Sequence, residues 1–448
     1  MGQQSFGNGH PGKRVHLERT LVELSPDMWQ AYPLAIGDVG RLHMLEVDYP
    51  ADLPQTLQIS LVEPNAAGKV APVGLDTGLE VIQPLPGASA GMRTHRVPFW
   101  PQTKSPLVLV VNRSSQDAAL FGQIRVKVGP AKLPPAKLPP INGPQRMLAV
   151  SLDRPFFCEN FGAGEALDAP TGHTRKDWLT FYRGASRLVE YLENSGRNAA
   201  LITIAGEGSG LYPTPLLEPT PMYDTGTYFE SGQDPLRKDV AELLFRMFDR
   251  AGLQLIPAIK FASPLPEVEA LARQPDETTG LLPIGPDGQT WMARYGGHRG
   301  AGVLYNPLDP RVQQALRRVV AEIAERYGHH PSFGGVAIHL GPDSFVVLPD
   351  EMHSLDDATI GRFRNDTKTV VPGDGPQRYA QRAHYLARDG RAAWLDWRAG
   401  ELARLYQGME SDIARTHAGA RLFLHTGELL AARTLQQSLR PALPQPKV

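Results

Sequence analysis

Cysteine is nearly absent from this chain: Cys158 is the only one in 448 residues. One thiol cannot build an intramolecular disulfide framework and is too few for a thiolate zinc site. An excess of either charge is missing too. With 46 basic and 47 acidic side chains the formal net charge is −1, so neither nucleic acid nor an anionic membrane surface is implied as a partner. No stretch approaches the ~18 consecutive apolar residues of a membrane span. Met1 to Lys13 is rich in Gly, Gln and Asn without an apolar segment, so no secretory signal is visible. Phe6 stands where N-myristoylation needs Ser or Thr. Several chemical signatures are also lacking. Gly206-Glu207-Gly208-Ser209-Gly210 is glycine-dense but does not follow G-x-G-x-x-G. No serine sits in a G-x-S-x-G elbow. His298, His329, His330 and His339 show no H-x-x-x-H spacing. The sequence therefore calls for no cofactor and no metal.

What is present divides into two compositions. Residues 14–130 carry short β-branched or alternating runs at Leu42–Val47, Thr56–Val62, Arg93–Trp100, Leu107–Asn112 and Gly122–Val128, separated by turn clusters such as Glu63–Gly68 and Pro84–Gly87. Several strands without a convincing helix predict a β-sandwich. Its aromatics Trp29, Tyr32, Tyr49, Phe99 and Trp100 form either a sugar-stacking platform or core packing. Residues 131–145 repeat Ala-Lys-Leu-Pro-Pro twice, and tandem prolines favour an extended spacer.

From 146 to 448 the pattern turns α/β. The clearest unit begins at Asp309-Pro310, a side-chain cap followed by a residue suited to the first helical position. Val312, Ala315, Leu316, Val319, Val320, Ile323, Ala324 and Tyr327 then form one apolar stripe, and Gly328 is expected to close the helix in a left-handed conformation. Phe333–Leu340 follows as a strand covered on both faces. Equivalent strands are expected at Met147–Leu152, Ala199–Ile204, Leu253–Phe261 and Arg421–Leu424. Helices are expected after Thr174, with Trp178, Phe181, Tyr182, Ala185, Leu188, Val189 and Leu192 as the stripe, after Asp234-Pro235, at Gln377–Arg388 and at Ala392–His417. The first four strands should be parallel and adjacent in chain order, because one amphipathic helix joins each pair. Strand-to-helix connections are long and structureless in this reading, and functional residues of parallel α/β folds gather there. The fold class is thus a (β/α) TIM-barrel-like domain behind an all-β sandwich. Five strands are countable where a closed barrel needs eight. The barrel is therefore incomplete as given, and self-association or a further C-terminal domain would cover its edge.

The strand ends and following loops bring forward Asp153, Glu207, Lys260, His339 and Asp343, with Glu159 and Glu351 nearby. Two carboxylates across a cleft can hydrolyse an acetal, one protonating the leaving oxygen while the other attacks carbon or activates water. Glu207 ranks first: Gly206 and Gly208 flank it, no helix follows for it to cap, and rings such as Tyr212 would raise its pKa. Lys260 reads as an ion-pair partner or, in a weaker alternative, as the amine of an aldolase or lyase. Loop aromatics, among them Phe156, Phe157, Phe161, Tyr212, Tyr223, Tyr228, Phe229, Trp291 and Tyr295, either stack on sugars or hold the loops down.

Tyr305-Asn306-Pro307-Leu308-Asp309-Pro310-Arg311-Val312, its helix, and Gly334-Gly335-Val336-Ala337-Ile338-His339-Leu340 resemble the family 10 glycosylhydrolase-like barrels, in which an NP…P-x-V helix leads into a DGIHLD-type strand. The run from Tyr212-Pro213-Thr214-Pro215 through Asp234-Pro235 to Phe261–Pro266 is similar to large planctomycete-type proteins that carry such a barrel behind a β-sandwich. The resemblance spans about residues 146 to 430 and implies a TIM barrel acting on polysaccharide. Gly335 stands at the first Asp of the motif, Gly341-Pro342 follow Leu340 where acids belong, and Asp343 is displaced by two positions. The resulting expectation is a glycoside hydrolase with Glu207, Asp153 and Asp343 as catalytic carboxylates. Tyr212, Lys260, His339, Trp291 and Tyr295 would bind a carbohydrate substrate. The rival is a non-catalytic carbohydrate-binding or scaffolding module that keeps the barrel.

Overall fold

The computed structural model describes residues 5–64, 70–75, 77–81, 91–137, 146–152, 157–163, 177–206, 209–217, 239–274, 279–295, 305–341 and 344–426. Two compact units emerge. One comprises Met1–Leu148, Phe156–Asn198 and Asp224–Asp234; the other comprises Ala149–Pro155, Ala199–Tyr223 and Pro235–Val448. Among the described residues no helix is long and apolar enough to cross a membrane.

The first unit holds β1 (Phe6–Gly7), β2 (Gly12–His16), β3 (Arg19–Leu24), β4 (Trp29–Pro33), β5 (His43–Pro50), β6 (Gln55–Pro64), β7 (Val70–Pro72), β8 (Thr77–Val81), β9 (Met92–Phe99), β10 (Leu107–Asn112), β11 (Ala119–Phe121) and β12 (Ile124–Val128). All pairings are antiparallel, in sheets ordered β1-β4-β10-β6-β7 with β8 on β6, β11-β3-β2, and β12-β5-β9. The inward residues alternate, as in β10, where Val108, Val110 and Asn112 are buried. With Leu45, Val47, Leu57, Ile59, Leu61, Val97, Phe99 and Phe121, the two valines build one sandwich-like core. Phe99 and Trp100 are buried, Tyr32 packs edge-on to Phe121 at 6.1 Å and Tyr49 packs half-buried against the same core, so these four serve the core, while Trp29 stays exposed. The hairpin β2–β3 escaped the sequence reading because β2, Gly-Lys-Arg-Val-His, is almost wholly exposed and has no apolar alternation.

Around β5 the solvent side carries an ion network. Glu46 accepts from Lys127 at 2.8 Å and from Arg96 and Arg125 at 3.2 Å each, while Asp48 lies 2.6 Å from Arg125. Lys127 foremost, helped by Arg96 and Arg125 and opposed by burial, holds the Glu46 carboxyl down at about 2.

The proline-rich stretch is tied down in its first half. Leu133 is buried, its N–H donates to Glu190, and the Ala136 N–H donates to the Glu193 carbonyl at 2.9 Å. Both acceptors lie on α1 (Asp177–Ser195). The second half, 138–145, lies outside the described residues, as does Thr174. On α1, Phe181, Ala185, Leu188 and Leu192 are buried, whereas the expected stripe members Trp178 and Tyr182 are exposed. Gly196 ends the helix region at φ +67°.

The second unit is a parallel half-barrel. Strands β13 (Ala149–Leu152), β14 (Ala199–Gly206), β16 (Gln254–Ile259), β17 (Gly335–His339) and β18 (Arg421–His425) lie side by side in that order, all parallel, with the two-residue β15 (Ser209–Gly210) returning antiparallel on β14. The parallel, adjacent order expected from the helical crossovers is therefore present. A closed eight-stranded barrel is not present among the described residues. The middle strands β14 and β17 are buried throughout, while β13 and β18 have exposed positions along their length.

The connecting helices are α2 (Val240–Ala251), α3 (Pro266–Ala272), α4 (Trp291–Tyr295), α5 (Pro310–Tyr327), α6 (Asp357–Thr367), α7 (Arg378–Leu386) and α8 (Arg391–Thr416). In α5 every residue of the predicted stripe is buried and Asp309 accepts from the Arg311 N–H. Each large aliphatic side chain so buried contributes about 1.5–3 kcal/mol. The cap of α2 is Asp239, which accepts from the Glu242 N–H; Asp234 lies outside the described residues. Two expectations are corrected. Gly328 is right-handed, at φ −62°; a Cβ there would meet the Ala324 carbonyl at 2.5 Å, so close approach is what requires glycine. The connections 262–308 and 341–376 are not structureless, since they contain α3, α4 and α6. The last is capped by Asp356, which accepts from the Thr359 N–H. Helices α6, α7 and α8 share an apolar cluster of Phe363, Leu386, Trp394 and Trp397.

One irregularity sets the inner face. The Leu255 N–H donates to the Ser332 carbonyl at 2.8 Å. The next N–H aimed at β17 would belong to Pro257, which has none. The Gly334 carbonyl instead accepts from the Arg421 N–H at 3.4 Å. The pairing moves from Leu255↔Phe333 to Ala258↔Ala337, one extra residue on the β17 side. Gly335 absorbs it at φ +132°, and a Cβ there would stand 2.0 Å from the Arg421 carbonyl.

Gly335→Ala is therefore expected to lose about 2–4 kcal/mol in urea denaturation, whereas Gly361→Ala, on α6 with nothing within 4 Å of the new Cβ, should be neutral or gain up to about 1 kcal/mol. Equal effects would refute the bulge argument. In the sandwich, the Glu46 carboxyl titrates below its ordinary value of 4.5, at about 2, so its contribution is complete above the ordinary value and vanishes as pH falls towards 2. The melting-temperature gap between the native protein and Glu46→Gln should be widest near pH 7 and shrink steadily below about pH 4.

Candidate functional site

Because side chains alternate along each strand, the register selects one concave face. Leu201 pairs with Ile256, and Ala258 with Ala337. These four, with Phe423 against them, make an apolar floor. Two residues further along β17 and β18, at the carboxyl ends, the same face presents His339 opposite His425. Their rings meet edge to face at 4.8 Å. His339 Nε2 lies 2.8 Å from Thr203 Oγ1 on β14, and His425 Nε2 lies 3.3 Å from Ser151 Oγ on β13. The line Thr203, His339, His425, Ser151 thus crosses the carboxyl end of the half-barrel. Thr203 and His339 are almost fully buried, whereas Ser151 is exposed and His425 half-buried.

Lys260 stands beside this line. It follows β16 on the same alternation as Ile256 and Ala258, and its N–H extends the ladder to the Ala205 carbonyl at 2.8 Å. Gly206 passes so close that a Cβ there would stand 3.2 Å from Lys260 Cβ and 3.4 Å from Thr203 Cγ2. The structure therefore brings together two of the five expected binding residues, Lys260 and His339. The face offers imidazole, hydroxyl and ammonium groups, suited to holding hydroxyls and carboxylates by directed hydrogen bonds.

The other candidates fall elsewhere. Tyr212 is fully buried against Tyr327 at 6.0 Å, with Arg326 over its ring at 5.4 Å, and its hydroxyl donates to Glu322 at 3.3 Å. Burial first, then the Glu322 carboxylate, pushes its phenol well above the ordinary range. It anchors the segment after β15 to α5 and cannot stack on a sugar. Trp291 is half-buried on α4, edge-on to His353 at 5.0 Å, and packs the loops on one another. Tyr295 ends α4, and its side chain lies outside the described residues. Glu351 is paired with Arg391 at 2.8 Å, and Glu159 belongs to a short 3-10 helix of the first unit. The three catalytic candidates Asp153, Glu207 and Asp343 all lie outside the described residues. In sequence they follow Leu152 directly, Gly206 directly, and Gly341 by two positions.

Three members of the face, Ser151, Thr203 and His425, escaped the sequence reading. Thr203 is the one polar residue inside the apolar run Ala199–Ala205, and counting in twos from Leu201 would have singled it out.

No family model matches the chain, and no curated protein matches it. Among solved structures it is similar to the CBM22-1 xylan-binding domain from Paenibacillus barcinonensis Xyn10C, at 9% identity and TM-score 0.23 over 28% of this chain and 85% of that one. It is similar to the beta-galactosidase of the psychrophilic Marinomonas ef1, at 16% identity and TM-score 0.33 over 57% of this chain and 36% of that one. A family 6 carbohydrate-binding module from Clostridium cellulolyticum in complex with xylose aligns at 10% identity and TM-score 0.19 over 27% of this chain and 87% of that one. Likenesses of this size carry no argument about function.

Thr203→Val preserves shape and removes the hydroxyl beside His339. It is expected to cost about 0.5–1.5 kcal/mol in chemical denaturation, with Thr203→Ser retaining most of the stability. Loss of stability in Thr203→Ser equal to that in Thr203→Val would mean that methyl packing, not the hydrogen bond, is what Thr203 supplies.

Proposed function

We propose that the half-barrel binds carbohydrate at the carboxyl end of its concave face and cleaves glycosidic bonds there with a carboxylate pair drawn from Glu207, Asp153 and Asp343. The observation that carries this reading is the convergence of Thr203, Lys260, His339, His425 and Ser151 at the ends of parallel strands, from which the three acids follow within a few residues of sequence. The resemblance of 146 to 430 to family 10 glycosylhydrolase-like barrels points the same way. In this reading Lys260 and His339 hold sugar hydroxyls, and the buried Thr203 hydroxyl orients the His339 ring. Glu207 acts as the acid that protonates the leaving oxygen, and Asp153 or Asp343 attacks the anomeric carbon or activates water.

A specific observation favours a second reading, a barrel that binds sugar without cleaving it. The position matched to the motif's first Asp is Gly335, where the Arg421 carbonyl leaves no room for any side chain, so this strand cannot regain that acid by substitution.

The two readings separate on Glu207→Gln, which keeps shape and removes the proton donor. If the chain hydrolyses unactivated polysaccharide, the variant's release of reducing ends should fall ~10²–10⁴-fold while binding persists. Binding by both proteins with no hydrolysis by the native one would select the second reading. A fully active variant would remove Glu207 from the mechanism.

A further inference from the structure

At the opposite, amino end of the parallel strands, the turn between α5 and β17 holds His329-His330, and α2 runs beside it. His330 is 4% exposed and its ring is clamped on both edges. Nδ1 lies 2.7 Å from Asp249 Oδ2 and Nε2 lies 3.0 Å from Glu242 Oε2. Phe245 stacks on the ring at 5.0 Å with the planes 15° apart. Asp249 is itself positioned, since its other oxygen accepts from the Ser332 N–H at 2.9 Å. His329 is exposed, with its ring centroid 4.1 Å from that of His330. Donor atoms of Glu242, His329 and His330 all fall within 4.8 Å of one another.

We propose that Glu242, His329 and His330 form a site for a divalent transition metal of the zinc class. The donor set of two imidazoles and one carboxylate suits Zn²⁺ and its neighbours. With metal–ligand distances of about 2.0–2.1 Å, tetrahedral ligand atoms stand about 3.3 Å apart. Glu242 Oε2 and His330 Nε2, at 3.0 Å, are already at that spacing within a few tenths of an ångström. Asp249 meets the second requirement of such sites. A carboxylate on the far nitrogen fixes the tautomer that turns Nε2 towards the metal and makes it more basic. His329 has only to swing its ring, and it is exposed and free of any hydrogen bond to a described side chain. Glu242 keeps its other oxygen on Arg246 at 2.6 Å, so one lone-pair direction remains for the metal. A bound ion would clip the first turn of α2 to the turn that launches β17, and a fourth position would stay open to water.

The sites of the carboxyl end are separate from this one, so the test does not depend on the proposed activity. The full chain, stripped by chelator dialysis, is titrated with ZnCl₂ by calorimetry and with CoCl₂ by visible absorption. One equivalent should bind, cobalt should develop the intense visible bands of a four-coordinate site, and zinc should raise the melting temperature. His329→Gln, a change at an exposed position, should weaken zinc binding more than tenfold and abolish the cobalt bands without lowering the metal-free melting temperature. Glu242→Gln should weaken binding to a similar extent. Absence of stoichiometric binding by the native chain overturns the proposal. So does binding that His329→Gln leaves unchanged, because the metal would then sit on other histidines.

Discussion

A single missing N–H organises the half-barrel. Pro257 lies in the middle of β16, between two partner strands, where a proline is ordinarily excluded because it cannot donate to the ladder. The side on which it fails is the β17 side, and β17 answers with one additional residue and a glycine at φ +132°. Strand side chains have a period of two, so inserting one residue reverses which of them face inward. Without it, Val336 and Ile338 would face the concave side and His339 would be driven among the helices. With it, Ala337 completes the apolar floor and His339 arrives beside Thr203. The site's geometry is thus a consequence of a backbone hydrogen bond that cannot form.

The remaining polar groups near the strands are handled by pairing. His339 with Thr203 and His330 between two carboxylates are both nearly removed from water, where a polar group without partners costs more than a hydrogen bond contributes. The two ends of the strands differ in kind. At the carboxyl end the groups come from strands and face a concavity. At the amino end they come from a helix and a turn and lie in a packed seam with Phe245 and Phe333.

Much of this architecture was legible. The Asp309-Pro310 start and its stripe translate directly into α5, since capping and burial there agree with local propensity. The strand order followed from the crossover rule alone. What was not legible depended on partners distant in sequence. Gly328 looks like a left-handed stop until the Ala324 carbonyl beneath it is known. Tyr212 looks like a loop ring until Glu322 and Arg326 close over it. Asp356 begins α6 in a stretch read as loop, because α6 has only Ile360 and Phe363 as its larger buried apolar residues and so shows little periodicity. The alanine-lysine-leucine-proline repeat reads as a spacer because nothing local reveals that Glu190 and Glu193 bind its backbone. Of the site itself, Lys260 and His339 were visible as polar residues at strand ends. Ser151, Thr203 and His425 were not, being small or edge residues in apolar surroundings.

The hydrogen bond between Ser151 and His425 joins strands that are first and last in the sheet, across a separation of 274 residues. Such a contact closes a very long loop and is among the last that an emerging chain can make. During synthesis the sandwich strands up to Val128 can pair as soon as they leave the ribosome, whereas the line of side chains at the half-barrel's carboxyl end stays incomplete until residue 425 has appeared. Over that interval Ser151 has no His425 to meet, so the order of translation leaves the line of side chains incomplete until nearly the whole described chain has been made.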